Sequence, residues 1–233
     1  MKRQILPQSV TVQKVFLAFS KRSAIIIEIF KRKSVEKAHI PAIFREKERK
    51  NMIYAETEIK LKNGCTAVVR NARPEDAKQT IEYLRTVSGE SPFLLREPDE
   101  VNFTVEKERA ILQNKAESPN EIMLTAYVNG ELAGNCSLAS QGDKRRMKHR
   151  CCVSIALYEK YCNLGLGRIL LSTLLELAKQ CGYTQAELGV IEGNERAKHV
   201  YESLGFKEYG FLPNSLRYSD GITRGEYFMV KEL

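Results

Sequence analysis

Residues 153–180 read VSIALYEKYCNLGLGRILLSTLLELAKQ. A strand-forming run from Val153 to Leu157 passes into a turn holding Gly165 and Gly167. Leu170, Leu171, Leu174, Leu175, Leu177 and Ala178 then recur at helical spacing. The change of pattern predicts a strand over about 150–157, a glycine turn, and a helix over 168–180. The first N–H groups of such a helix point into the loop, and glycines let an anion approach the backbone without meeting a Cβ. The run Asn163-Leu164-Gly165-Leu166-Gly167-Arg168 is therefore a candidate phosphate cradle, although a plain strand-to-helix connection uses the same spacing.

Downstream, Gly182 closes the helix and residues 185–191 read as the next strand. Asn194 caps a short helix with Ala197, Tyr201 and Leu204 on one side and Gly205 as its stop. Strands over 206–212 and 226–230 finish the chain. Upstream, Asn63-Gly64 and Asn129-Gly130 each sit between strand-like flanks, 58–62 with 65–71 and 121–128 with 131–138, and predict two hairpins. Pro74, Glu75 and Asp76 head one helical stretch, and a second runs over about 104–115. The order is an α/β domain on a mixed sheet.

The 233 residues carry a net charge of +8, very unevenly distributed. Residues 1–51 hold 13 Lys/Arg against 4 Asp/Glu, while the remaining 182 hold 24 against 25. The basic stretch fits a membrane-surface helix, a nucleic-acid arm, or an extension without packed structure, and the last is the expectation. Met52, next to the last charged cluster, is a candidate translation start. The neutral remainder argues against nucleic acid as a partner of the folded part. Apolar runs fall well short of the ~20 residues that span a bilayer, which excludes a membrane-spanning protein. The six cysteines form no C-x-x-C pair and no zinc-ligand spacing, so no metal is expected. No secretory signal is read at the start, and a reducing cytoplasmic setting is expected.

A Walker A loop needs Lys-Ser/Thr after its last glycine, and Arg168-Ile169 stands there, which argues against nucleoside triphosphate hydrolysis. A dinucleotide fingerprint needs a third small residue where Leu170 lies, and seven residues separate Leu157 from Gly165, too many for that tight turn. The combination of Val153 to Leu157, Tyr161 to Gly167, Leu188 to Val190, Asn194, Ala197 and Tyr201-Glu202-Ser203-Leu204-Gly205-Phe206 resembles the signature run of the GNAT superfamily of N-acetyltransferases. The resemblance extends more weakly from about residue 60 to the end and does not cover 1–51. It implies a GNAT fold over 52–233, with a mixed central sheet flanked by helices.

The resemblance also implies acetyl-CoA as co-substrate and acetyl transfer to a primary amine of a small molecule or peptide. Main-chain N–H groups from Asn163 to Arg168 would hold the pyrophosphate. Backbone groups of Ile155, Ala156 and Leu157 would pair with the pantetheine arm like an added strand, with Asn194 and Ala197 also on the cofactor. Tyr201 would protonate the leaving thiolate, since a phenol with pKa near 10 is a donor at neutral pH. The family's loop opens with Gln or Arg, where this chain has Cys162, a departure that points to weaker cofactor binding.

The ribosomal-protein alanine acetyltransferases, which the segment resembles, carry a glutamate where Gly189 stands here. No general base is evident in its place: Glu187, two residues earlier and on the same strand face, is the candidate replacement if its depth allows, with Glu192 or a water relay as alternatives, and an exposed strand carboxylate is its commoner fate. A non-catalytic acyl-CoA binder and a basic binding module acting through 1–51 are the rival functions. A homodimer is a further possibility.

Overall fold

The computed structural model describes residues 51–233. The basic segment, apart from Asn51, lies outside the described residues, and so do the readings made for it. Eight strands are present: β1 Thr57–Lys60, β2 Thr66–Asn71, β3 Ile122–Val128, β4 Glu131–Ser140, β5 Arg150–Leu157, β6 Gln185–Ile191, β7 Lys207–Arg217 and β8 Thr223–Glu232. Four α-helices accompany them: α1 Ala77–Glu90, α2 Val105–Glu117, α3 Leu166–Gln180 and α4 Glu195–Ser203. The strands form one mixed sheet in the order β1-β2-β3-β4-β5-β6-β8-β7, antiparallel throughout except for the parallel pair β5 and β6.

Local chemistry explains most of the boundaries. At the β3–β4 hairpin Asn129 and Gly130 both take positive φ, 51° and 79°, as a two-residue turn requires. In the first hairpin only Gly64 does so, and the turn is closed by its N–H to Leu61 O at 3.0 Å. Helix α3 begins at Leu166, two residues earlier than the periodicity predicts, because Gly165 at φ 87° serves as its left-handed N-cap. Strand β7 runs on past Leu212 to Arg217, although Pro213 reads as a breaker. It lies at the edge of the sheet, where a missing N–H costs no ladder bond, and an irregularity between Leu212 and Leu216 absorbs the proline.

Alternation along β5 assigns the two faces. Cys151, Val153, Ile155 and Leu157 join the main core with α3, whose Leu166, Leu170, Leu171, Leu174, Leu175 and Leu177 are all buried. Each buried leucine contributes about 2 kcal/mol of transfer free energy. Ala156, one step out of phase, packs on the opposite face with Tyr83 and Val87 of α1. Met52 belongs to the main core, and its N–H donates to Ser118 O at 3.1 Å. Among the described residues no helix is long and apolar enough to cross a membrane.

Candidate active site

Strands β5 and β6 pair only through Arg150–Gln185, Cys151–Ala186 and Cys152–Glu187. Beyond that point β5 stays on β4 while β6 stays on β8, so an opening forms between them with Cys152 and Glu187 at its floor. The direction of the β5 main chain follows from its neighbours. Tyr158 N–H donates to Ala133 O at 3.0 Å, Gln141 N–H donates to Arg150 O at 3.1 Å, and on the other side His149 O accepts from Thr184 N–H at 2.9 Å. Even-numbered residues therefore turn their peptide groups to β4, while Val153, Ile155 and Leu157 turn theirs to the opening. Ile155 and Leu157 thus offer an unpaired strand edge. Ala156 does not: its peptide faces β4, and its carbonyl accepts from the Tyr83 hydroxyl at 2.7 Å. Its expected backbone role at the cofactor is corrected by strand parity.

The glycine loop lies between this edge and α3. Asn163 at φ 61° and Gly165 at φ 87° coil the chain so that the N–H groups from Asn163 to Arg168 are left without a protein acceptor among the described residues. The first amide of this stretch to be taken is Ile169, to Gly165 O at 3.2 Å. Six consecutive free amides at the positive end of a 15-residue helix form an anion cradle. The β1–β2 turn braces it, with Lys62 N–H donating to Leu164 O at 3.1 Å. The Lys62 side chain runs beside Gly165, its Cε 3.7 Å from where a Cβ would stand.

The Arg168 guanidinium points away from the cradle, donating to Ser203 Oγ at 2.8 Å at the end of α4. Cys162 is half-buried, with its Sγ 3.6 Å from Tyr158 O. Burial pushes its thiol up, while the Arg196 charge acts in the opposite direction. Lys62 and Arg196 are thus cations at the loop that its own sequence does not announce. They come from a distant turn and from the next helix.

Asn194 caps α4 as its position predicts, its Oδ1 accepting from Ala197 N–H at 3.2 Å. That bond occupies the Ala197 N–H, so Ala197 has no amide donor to offer a ligand, while Asn194 still has its Nδ2 donors. Tyr201 is 8% exposed, with its ring edge-on to Phe206 at 6.1 Å between centroids. Burial pushes its phenol up to about 12, and the neighbouring Cys152 thiol at the floor of the opening adds to the shift. No described residue hydrogen-bonds the hydroxyl. Among the described residues the only fully buried side-chain N or O atom without a partner is Thr80 Oγ1, so the Tyr201 oxygen keeps at least a small exposed surface.

Glu187 is placed differently from expectation. Its side chain is 8% exposed, and its carboxylate accepts from Arg150 Nε at 2.5 Å and Nη2 at 2.7 Å and from Gln185 Nε2 at 2.7 Å. The Arg150 guanidinium holds the carboxyl below the usual range despite the opposing effect of burial. A carboxylate so satisfied has little basicity left, and Glu187 is better described as half of a structural ion pair that ties β5 to β6. Glu192 Oε2 is also engaged, accepting from Gly225 N–H at 2.9 Å. Glu226 of β8, which strand patterning alone does not single out, lies over Gly189 on the same sheet face as Glu187. Between β4 and β5, residues 145–149 form a turn, and the side chains of Lys144, Arg145, Arg146 and Lys148 there are exposed.

A model of the Acetyltransferase (GNAT) family matches residues 91–206. The L-amino acid N-acyltransferase MnaT of Escherichia coli (strain K12) is 30% identical over 91 residues, which are 39% of this chain and 53% of that protein. The chain thus spans about half the length of this curated relative. A solved acetyltransferase of the GNAT family from Streptococcus pneumoniae is 30% identical, with a TM-score of 0.68 over 72% of this chain and 99% of the other. A GNAT superfamily phosphinothricin acetyltransferase from Sinorhizobium meliloti, solved in complex with acetyl-CoA, shares the fold. Its TM-score is 0.63 at 18% identity, over 72% of this chain and 88% of the other.

Proposed function

The chain belongs to the acetyltransferase (GNAT) family, and from that premise we propose that it moves an acetyl group from acetyl-CoA to a primary amine of a small molecule or peptide. The observation that carries this reading is the set of free amides from Asn163 to Arg168, set beside a strand edge that lacks its partner. Those amides, with Lys62 and Arg196 nearby, suit a pyrophosphate. The outward peptide groups of Ile155 and Leu157 suit the amide-bearing pantetheine arm, which would add to β5 as a strand. Acetyl-CoA supplies the acyl thioester.

Tyr201 acts at the departing sulfur. At a pKa of about 12 the phenol is protonated at any physiological pH. Giving its proton outright to a thiolate of ordinary pKa ~8.5 is uphill by roughly 3 to 4 units, or about 5 kcal/mol. The hydroxyl therefore works chiefly by hydrogen-bonding sulfur as charge grows there, and transfer is completed as the amine sheds its own proton.

The engagement of Glu187 with Arg150 and the presence of Cys162 in the loop favour a second reading, a binder of acyl-CoA without turnover. One experiment separates the two. Thermal stabilisation by acetyl-CoA reports binding, about 3 kcal/mol at a hundredfold excess over Kd. Release of free thiol with a panel of amines reports transfer, and L-amino acids head the panel because of the activity named for the Escherichia coli relative. Stabilisation with thiol release supports the transferase, and stabilisation alone supports the binder. Neither effect defeats both.

A further inference from the structure

Three carboxylates stand near the opening, and their hydrogen bonds separate them. Both Glu187 oxygens accept from Arg150, with Gln185 and Gln141 adding further donors. Glu192 accepts from the Gly225 amide. Glu226 is half-buried, takes part in no ion pair among the described residues, and has one oxygen held, with Ser215 Oγ donating to Oε2 at 2.8 Å. No donor reaches its Oε1. That oxygen fills the space directly over Gly189, the one exposed residue in a strand otherwise buried or half-buried. A Cβ built there would collide with Oε1 and stand 3.0 Å from Cδ.

Register explains how the carboxylate arrives there. Glu226 pairs with Ile191, and Gly189 is the next residue on the same face, so a long side chain on β8 can lie diagonally across a glycine on β6. The Cys152 thiol, at the floor of the opening, is pushed up mainly by burial, with Glu187 and then Glu226 adding to it. The same thiol contributes to the shift at Tyr201. Glu226 and Tyr201 are thus each close enough to the Cys152 thiol to act on it or be acted on by it, at the point where β5 and β6 part.

We propose, building on the acetyl transfer read above, that Glu226 is the general base, delivered from β8 into the space that the absent Gly189 side chain leaves free. Oε1 takes a proton from the attacking nitrogen. The C–N bond forms as the C–S bond breaks, the electron pair leaves on sulfur with the Tyr201 hydroxyl hydrogen-bonded to it, and the proton held by Oε1 passes through solvent to the thiolate, which frees the carboxylate again. In the net reaction one N–H proton ends on the thiol. Ser215 holds the other oxygen and fixes the carboxylate without neutralising it.

The test compares the full chain with Glu226→Gln, which keeps the shape and an oxygen for Ser215. The wild type must release thiol in the amine panel. If it binds acetyl-CoA and releases none, the transfer reading and the assignment of Glu226 are both overturned. Given turnover, Glu226→Gln is expected to lower kcat/KM by about 10²- to 10⁴-fold and to lose the acid limb of the pH profile, while acetyl-CoA stabilises it as it does the wild type. A rate and pH profile equal to wild type overturn the assignment alone. A second comparison stands even if that variant folds poorly. Glu226→Ala combined with Gly189→Asp returns a carboxylate to the same space from β6 and should run at least tenfold faster than Glu226→Ala alone. No recovery in a variant still stabilised by acetyl-CoA counts against the proposal.

Discussion

Replacing Tyr201 by phenylalanine removes one oxygen from a ring that stays in the core. The hydroxyl makes no hydrogen bond to a described residue, and the ring keeps its edge contact with Phe206. Stability at pH 8 should therefore change by less than about 0.5 kcal/mol, as for substitutions that break no named interaction. Catalysis should suffer more. A hydrogen bond to a charged group is worth about 1.5–3 kcal/mol, which predicts a fall in kcat of roughly 10- to 150-fold. The larger loss of full general-acid catalysis is not expected from a phenol whose pKa is about 12.

The same pKa fixes a pH signature. The folded value lies above the unfolded value near 10, so this contribution to stability is fully present below pH 10 and is lost as pH rises through 12, about 3 kcal/mol in all. Tyr201→Phe lacks this term, so its stability relative to wild type should improve by about 1 kcal/mol between pH 8 and pH 11. The assay is steady-state thiol release beside acetyl-CoA titration and urea unfolding at the two pH values. An unchanged kcat, or a loss that lies entirely in acetyl-CoA affinity, refutes the role given to the hydroxyl.

Arg150→Ala should cost about 2–3 kcal/mol at pH 7 by urea unfolding, because Glu187 would be left buried with only neutral donors; the low end applies since Arg150 is a third exposed. The penalty should shrink toward pH 3. Glu187 has a depressed folded pKa, so its stabilisation is present above the unfolded carboxyl pKa and is lost as pH falls through the folded value. Gly165→Ala forces a side chain to φ 87°, a cost of about 1–2 kcal/mol, and should weaken acetyl-CoA binding in calorimetry, because the loop must recoil to relieve it. Gly189→Ala puts a methyl where Glu226 Oε1 lies. The flexible carboxylate gives way, so melting temperature should hold within a few degrees while kcat falls at least tenfold in the thiol-release assay.

The parts of the site visible in sequence are those built from neighbours along the chain. The glycine loop and the Asn194 cap are each set by residues within about half a dozen positions, and the structure places the cap where the spacing predicts and the loop within two residues of it. Residues that arrive through the sheet were hidden. Glu187 meets Arg150 across 37 residues, and only the β5–β6 register reveals that its carboxylate is already satisfied. Ala156 looked equivalent to Ile155 and Leu157, yet strand parity against β4 turns its peptide the other way. Lys62 reaches the loop from a hairpin about a hundred residues upstream. Glu226 reaches Gly189 only because β8, not β7, inserts beside β6, an order that no hydrophobic pattern encodes.

The most direct measurement is amide hydrogen exchange across Asn163 to Arg168, free and with saturating acetyl-CoA. Six amides without protein acceptors should exchange quickly in the free protein and slow markedly when a pyrophosphate occupies them. Acetylated pantetheine, which lacks the pyrophosphate, should leave them fast. Equal exchange with and without acetyl-CoA, or equal protection by the phosphate-free fragment, would contradict the account.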